Sequence, residues 1–514
     1  MRALRLLPVI VAVVALSIVV LRVTHPLPDL PAESSAAIPP SESTRLGERL
    51  LPMAAGHAGL SGVTPLGDGR DALAMRILLA RAAETSIDVQ YYIWQTDTTG
   101  WLLLDELRAA AERGVRVRLL LDDNGIPGLD DVLASLDAMD NFEVRIFNPF
   151  MMRSPKLLSY GFDFFRLNRR MHNKSMTVDG IATVIGGRNI GDIYFAYGDG
   201  VAYFDFDVLA VGPAAADVSD NFDTYWTSGS VYAAADVLGP SVRGAEALAE
   251  AVAVAQESAL GSDYAAAVDN APIISRLLAG EDILEWTSVT LVSDDPAKGL
   301  GLARPEDLVV GQLPSLVGSP QSHADLVSAY LIPGVAGTEL LEGFVQEGIR
   351  TRIVTNSLEA TDVAAVHSAW MGYRNTLVRA GAEVFELKAR QDRPDDISLM
   401  QILIGSQSSL HAKTFAVDGE RIFIGSFNFD PRSAALNTEM GFLIESPTIA
   451  NELSAAIDRR EGFYAVEESA AGEIVWRALS ADGVQKTYAV EPNTSVLQRA
   501  IVTFLSWLPV EWML

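Results

Sequence analysis

The sequence predicts a duplicated α/β protein: two mostly parallel or mixed sheets flanked by helices, with one active site at the interface of the two halves. Three observations predict this. From Leu73 onward, apolar runs alternate between strand and helix periodicity. The alternation occurs twice. One polar motif, H-x-K-x4-D-x6-G-x-x-N, also occurs twice, 239 residues apart (411 − 172).

The chain has 514 residues, too many for one compact core. Its 66 acidic and 39 basic residues give a net charge of −27, which repels polyanions, so no nucleic-acid partner is expected. It has no cysteine, which excludes disulfides, thiol catalysis and cysteine-based zinc sites.

The elements follow in order. Residues 1–24 read as a membrane anchor or signal segment, because Arg2 and Arg5 precede an uncharged apolar run from Leu6 to Leu21. The flanking charge favours a catalytic body on the extracytoplasmic side of the inner membrane. Residues 25–46, rich in proline and serine, read as a flexible tether. Residues 47–260 form the first half, where "SIDVQYYIW", "VRVRLLLDDNG" and "FEVRIFN" are strands between helices. Residues 261–514 form the second, with "IRTRIVTNS" and "EVFELK" as strands. The pair "ERGVRVRLL" and "QEGIRTRIV" repeats at an offset of 234 (348 − 114). The tail "VLQRAIVTFLSWLPVEWML" sets Leu497, Ile501, Phe504, Leu505 and Leu508 on one helical face, with Trp507 and Trp512 suited to a membrane interface. Docking of that face on the protein's own core is the alternative.

Strand periodicity divides each motif. His172 and Lys174 share a face, as do His411 and Lys413. Asp179 and Asp418, though members of the same catalytic motifs, fall on the other face before a glycine turn, and read as braces for that turn.

The residue types suit a phosphodiester. The anion needs cations or hydrogen-bond donors, which Lys174, Lys413, Asn189, Asn428 and the Ser426 hydroxyl supply without metal or cofactor. Two histidines provide a nucleophile and a general acid. Each imidazole needs an acid on its other nitrogen. Asp205, Asp207 and Glu439 are the candidates. Aligning "DVLAVGP" with "EMGFLIESP" favours Asp207 over Asp205 as the counterpart of Glu439, and the acid serving His172 is expected from Asp205 or Asp207. Arg188 contacts either a phosphate or a carboxylate. The segment from Arg153 to Arg188 is basic and interleaved with Leu157, Leu158, Phe164 and Phe165, which reads as membrane contact.

The two H-x-K-x4-D motifs resemble those of the phospholipase D superfamily. "NRRMHNKSMTVDG", "GGRNIGDIYF", "HAKTFAVDG", "IGSFNFDPRSAALNTEMGF" and "SWLPVEWML" are similar to the bacterial cardiolipin synthase C group, over most of the chain from Gly47 on. The resemblance implies a phospholipase D-like fold and a phosphohistidine intermediate. His172 would be the nucleophile and His411 the acid/base, while Lys174, Lys413, Asn189 and Asn428 match the phosphate-holding positions. It implies phosphatidyl transfer from phosphatidylglycerol to a second phospholipid or alcohol, giving cardiolipin. Hydrolysis to phosphatidic acid is the alternative, and a nuclease of the same superfamily a weaker one. Gly187 stands where many members carry serine, so direct hydroxyl contact with phosphate is expected only from Ser426.

Overall fold

A computed structural model describes residues 2–31, 35–195, 202–271, 276, 283–361, 363–389, 408–460, 462–479, 485–508 and 511; of residues 2–10, 202, 408, 409 and 479 only the backbone is described. The strands of the first half are β1 (Ser61–Leu66), β2 (Ser86–Ile93), β3 (Arg116–Gly125), β4 (Phe142–Phe147), β5 (Ser175–Val178), β6 (Ala182–Gly186), β7 (Ala202–Phe204), β8 (Asp207–Val211) and β9 (Val231–Ala233). Next come β10 (Glu285–Thr287), β11 (Val289–Ser293), β12 (His323–Ser328), β13 (Arg350–Asn356), β14 (Glu383–Leu387), β15 (Ser408–Leu410), β16 (Lys413–Val417), β17 (Arg421–Gly425), β18 (Met440–Ile444), β19 (Phe463–Glu468), β20 (Ile474–Leu479) and β21 (Gln485–Tyr488). The helices needed below are α1 (Arg2–Thr24), α2 (Gly69–Ala82), α3 (Thr98–Glu112), α4 (Tyr160–Leu167), α5 (Val309–Val317), α6 (Gly334–Gln346), α7 (Ala364–Ala380), α8 (Pro431–Ala435) and α9 (Val496–Leu505).

Two large sheets result. The first runs β10-β1-β8-β6-β5-β2-β3-β4-β9, and the second β11-β18-β17-β16-β12-β13-β14-β19-β20-β21. Both are mixed. Among the described residues, parallel pairing within them is confined to β2-β3-β4 and β12-β13-β14, where helices return the chain. The motif hairpins β5-β6 and β16-β17 are antiparallel, so of the two expected patterns both sheets take the mixed one.

The duplication extends into the core. Arg118 makes a bidentate pair with Asp88, with Nε–Oδ1 at 2.7 Å and Nη2–Oδ2 at 2.8 Å. Arg352 repeats it on Asp325 at 2.5 and 2.6 Å. Each joins two parallel strands on a face where an unpaired charge would be costly. The halves meet through one apolar cluster: Val63, Ile185, Val208 and Ala210 of the first sheet pack with Val327, Ile424 and Phe442 of the second.

Several expectations are corrected. The first sheet extends past residue 260: the helix Ala259–Asn270 packs in the first core and β10 pairs with β1. The halves divide at Ser288, between β10 and β11. The segment before Gly47 is also no free tether. Ser35 and Ala36 carbonyls accept from Arg118 and Arg116, at 2.8 and 2.6 Å, and the Ala37 N–H donates to Asp223 at 2.7 Å.

The basic segment is largely neutralised by acids from elsewhere. Arg153 and Lys156 pair with Asp123 and Asp130, and Arg170 with Asp122. Its apolar residues remain outside: Leu157, Leu158 and Phe165 are exposed. The end of α1 docks beside them. Arg22 Nε donates to the Phe162 carbonyl at 2.7 Å, and His25 packs near the Phe162 ring. Among the described residues no helix is long and apolar enough to cross a membrane. At the other terminus α9 packs on α7 through Val502, while Leu497, Ile501, Phe504, Trp507 and Leu508 face outward. Trp512 lies outside the described residues.

Candidate active site

Each motif histidine enters the site from a segment that borrows its partner from the other half. The His172 N–H donates to the Thr438 carbonyl at 2.9 Å, and Met171 bridges Thr438. The His411 N–H donates to the Phe204 carbonyl, and β15 pairs in parallel with β7. The side chains follow. His172 Nδ1 lies 2.8 Å from Glu439 Oε2. His411 Nδ1 bonds Asp205 Oδ2. A pseudo-two-fold exchange thus gives each imidazole an acid from the opposite half. With Nδ1–H donated to a carboxylate, each Nε2 is left with the reactive lone pair.

This corrects the acid assignment. His172 is served by Glu439, and neither Asp205 nor Asp207 reaches it. The sheet register identifies the true counterparts. Gly186 pairs with Asp207, and its twin Gly425 pairs with Gly441. The equivalent of Glu439 is therefore Asp205, at the 234-residue offset (439 − 205) already visible around Gly114 and Gly348. Asp207 instead bonds Arg76 Nη2 at 2.8 Å and lies 3.4 Å from Arg188 Nη1. Arg188 also donates to the carbonyls of Leu66 and Gly67, so it takes the carboxylate role and ties β6 to the turn before α2.

Ser426 is corrected as well. Its Oγ donates to Glu439 Oε2 at 2.6 Å and accepts from the Met440 N–H at 3.0 Å. The hydroxyl holds the acid rather than facing a phosphate. Gly187 is the matching solution in the first half: a Cβ there would lie 2.0 Å from Asp205 Oδ1. The shorter aspartate needs that space, and the longer glutamate leaves room for a serine.

Asp179 and Asp418 stand away from the imidazoles as backbone braces. Asp179, at φ 53°, accepts from the N–H groups of Glu84, Thr85 and Ser86 and from Thr85 Oγ1. Asp418, at φ 58°, accepts from Gln321, Ser322 and His323 N–H and from Ser322 Oγ. Each fastens the motif hairpin to the start of the neighbouring strand.

The remaining motif residues converge. Lys174 Nζ donates to the His172 carbonyl at 2.5 Å and lies over the Tyr92 ring; Lys413 Nζ donates to the His411 carbonyl. Asn189 accepts from the Ile93 N–H at 3.1 Å, while its buried Nδ2 has no partner among the described residues. Asn428 is buried with Oδ1 unpartnered. Buried polar atoms of this kind are normally satisfied, so these point to a polar ligand.

Burial dominates the electrostatics. Burial, then the charges of Lys174 and Lys413, holds the His172 imidazole well below the ordinary histidine range. Burial and Lys413 also lower His411, but the Asp205 carboxylate pulls the other way. Burial raises Asp205, yet Lys413 and His411 outweigh it and leave that carboxyl below its usual range. Burial pushes Glu439 up to about 7 against the opposing charge of Lys174. Burial also holds Lys174 well below the usual lysine range, a state that a bound anion would reverse.

Sequence reasoning missed the aromatic walls. Tyr92 packs edge-on against His172 at 5.1 Å. Tyr203 stacks on His411 at 5.2 Å, and Tyr194 packs edge-on against it. Tyr92 alternates with the buried Tyr91 in "QYYIW", so strand periodicity separates their faces but does not say which faces a histidine.

Two imidazoles related by an internal pseudo-two-fold, with acids exchanged between halves, define a phospholipase D-like enzyme. The chain belongs to the family described as "Cardiolipin synthase, PLD-like domain", whose model matches residues 77–226 and again 314–460. It is 46% identical over 481 residues to cardiolipin synthase C of Escherichia coli, covering 91% of this chain and all of that protein. An uncharacterized protein of Helicobacter pylori is 33% identical across 86% of this chain and 88% of its own. The major cardiolipin synthase ClsA of Bacillus subtilis is 24% identical, over 75% of this chain and 66% of that protein. Among solved structures, phosphatidylserine synthase of Haemophilus influenzae superposes with a TM-score of 0.53 at 15% identity, covering 91% of this chain and all of that one, which shows the shared fold.

Proposed function

We propose that the protein transfers a phosphatidyl group from phosphatidylglycerol to a second phospholipid, forming cardiolipin, through a covalent intermediate on His172. The observation that carries this reading is the exchanged pair of histidine–carboxylate contacts, in a chain 46% identical to a cardiolipin synthase along nearly its whole length.

The asymmetry of the pairs supports the division of labour. His172, held lowest, is neutral and nucleophilic. His411, beside the depressed Asp205 carboxylate, is the better holder of a proton. His172 Nε2 attacks phosphorus and the bond to the headgroup oxygen breaks. His411 Nε2–H gives its proton to that oxygen. Glu439 stabilises the cationic ring that carries the phosphatidyl group. The acceptor hydroxyl then passes its proton to His411, its oxygen attacks phosphorus, and the P–N pair returns to His172. Lys174, Lys413, Asn189 and Asn428 hold the phosphate oxygens.

Membrane association is part of the reading. The exposed side of α1, with Leu157, Leu158 and Phe165 beside its docked end, and the outward face of α9 suit a bilayer surface. The inner membrane is the proposed site, with the body on its periplasmic side.

The test is mass spectrometry of products after incubating full-length protein with vesicles of phosphatidylglycerol and phosphatidylethanolamine. Cardiolipin supports transfer. Phosphatidic acid alone would replace it with hydrolysis, and cleavage of single-stranded DNA without lipid turnover would replace both with a nuclease.

A further inference from the structure

The second half carries an apolar cavity where the first half packs helix on helix. In the first half α2 packs directly on α3. In the second, the corresponding α5 and α6 are separated by an apolar cavity of about 540 Å³, within the roughly 300–1,000 Å³ of small-ligand sites. Its lining includes Leu313, Leu326, Leu341, Phe344, Phe427 and Phe429. Matching bridges fix the comparison: Trp94 pairs with Ile190 as Leu331 pairs with Phe429. At that 237-residue offset (331 − 94), Leu103 corresponds to Leu340. Leu103 is 0% exposed in its core, whereas Leu340 lines the cavity and is 50% exposed. The smaller Leu331 stands in place of the fully buried Trp94. Val310 and Leu340 leave an apolar, solvent-exposed lip.

The cavity shares a loop with the active site. From Ser426 to Phe429 alternate side chains part company. Ser426 bonds Glu439, and Asn428 is buried with an unpartnered Oδ1. Phe427 and Phe429 line the cavity. The loop leads into α8, where Pro431 and Ala434 complete the wall, and Arg432 donates to Asn168 Oδ1 at 2.8 Å, next to the end of α4. One loop therefore joins the polar active site, an apolar chamber, and the exposed patch around Phe165. A phospholipid has these same two chemistries joined covalently.

We propose that this cavity binds one acyl chain of the phospholipid whose phosphate lies at Asn428 and His411. The proposal rests on the phospholipid reading above. An acyl chain suits the lining because little polar surface is present to orient anything else, and burial of its methylenes against apolar walls is favourable.

The test uses full-length protein in vesicles containing phosphatidylglycerol with a diazirine at the end of one acyl chain. After irradiation, adducts are expected on the peptides carrying Leu313 and Phe344. A second measurement plugs the chamber from an exposed position that lines it, Ala336→Trp. Relative to dihexanoyl phosphatidylglycerol, kcat/KM for the long-chain lipid should fall about tenfold, or ~1.4 kcal/mol. Labelling confined to α1 and α9, or equal effects on both substrates, would overturn the acyl site. If the cavity is labelled while no lipid is turned over, the acyl site stands and the enzymatic reading falls.

Discussion

His172 Nδ1 lies 2.8 Å from Glu439 Oε2, although the two residues are 267 positions apart and belong to opposite halves. His411 and Asp205 repeat the arrangement in the other direction. Neither half can therefore hold a correctly oriented imidazole alone. Glu439→Gln and Asp205→Asn are each expected to lower kcat by about 10²-fold or more, with KM little changed. Steady-state kinetics on vesicles checks this, and Asp207→Asn supplies a contrast: it breaks the Arg76 pair and should act first on thermal stability.

The Ser426 hydroxyl and the missing side chain at Gly187 serve the same purpose, seating the orienting acid. Ser426→Ala removes one hydrogen bond to Glu439 and should cost about 1–2 kcal/mol in the transition state, roughly tenfold in kcat. Gly187→Ser should be more damaging, because its Cβ collides with Asp205. A rise in KM without a fall in kcat for Ser426→Ala would instead restore the hydroxyl to the phosphate.

The pH profile should report Glu439. Burial raises it to about 7, so lowering the pH through that value neutralises the carboxylate that accepts His172 Nδ1–H. kcat/KM is expected to fall on an acidic limb with a midpoint near 7, and Glu439→Gln should abolish the limb. Asp205 lies below the usual carboxylate range and contributes nothing there. The sign for stability is opposite. A carboxyl raised in the fold favours the folded state at low pH, and that contribution is lost as pH rises to about 7.

Asp179 and Asp418 should behave as structural residues. Asp179→Ala leaves three backbone donors and a threonine hydroxyl without their acceptor and places alanine at φ 53°. The expected cost is about 2–3 kcal/mol of unfolding free energy, read by urea titration. Turnover per folded molecule should persist.

Much of this architecture was legible because duplication writes the same chemistry twice. The 239-residue spacing of the motifs exposed the halves, and strand alternation separated Asp179 from His172 and Lys174. The exchange of acids was not legible, because a linear sequence places Asp205 and Asp207 nearer to His172 than Glu439. The 234-residue offset did carry the equivalence of Asp205 and Glu439, but matching strand composition pulled the alignment two residues further, to Asp207. The boundary at Ser288 was hidden because β10 is a three-residue strand returning to the first sheet. The pairing of Arg153 and Lys156 with Asp123 and Asp130 joins segments whose proximity depends on the whole sheet.

The most direct measurement of the central claim uses the p-nitrophenyl ester of phosphatidic acid, whose leaving group needs no general acid. With His411→Ala, one equivalent of nitrophenol should be released in a burst, and the phosphatidyl group should be found on His172 by peptide mapping, because nothing remains to activate the acceptor. His172→Ala should give no burst. A full burst from His172→Ala, or a phosphatidyl group recovered on a residue other than His172, would contradict the account.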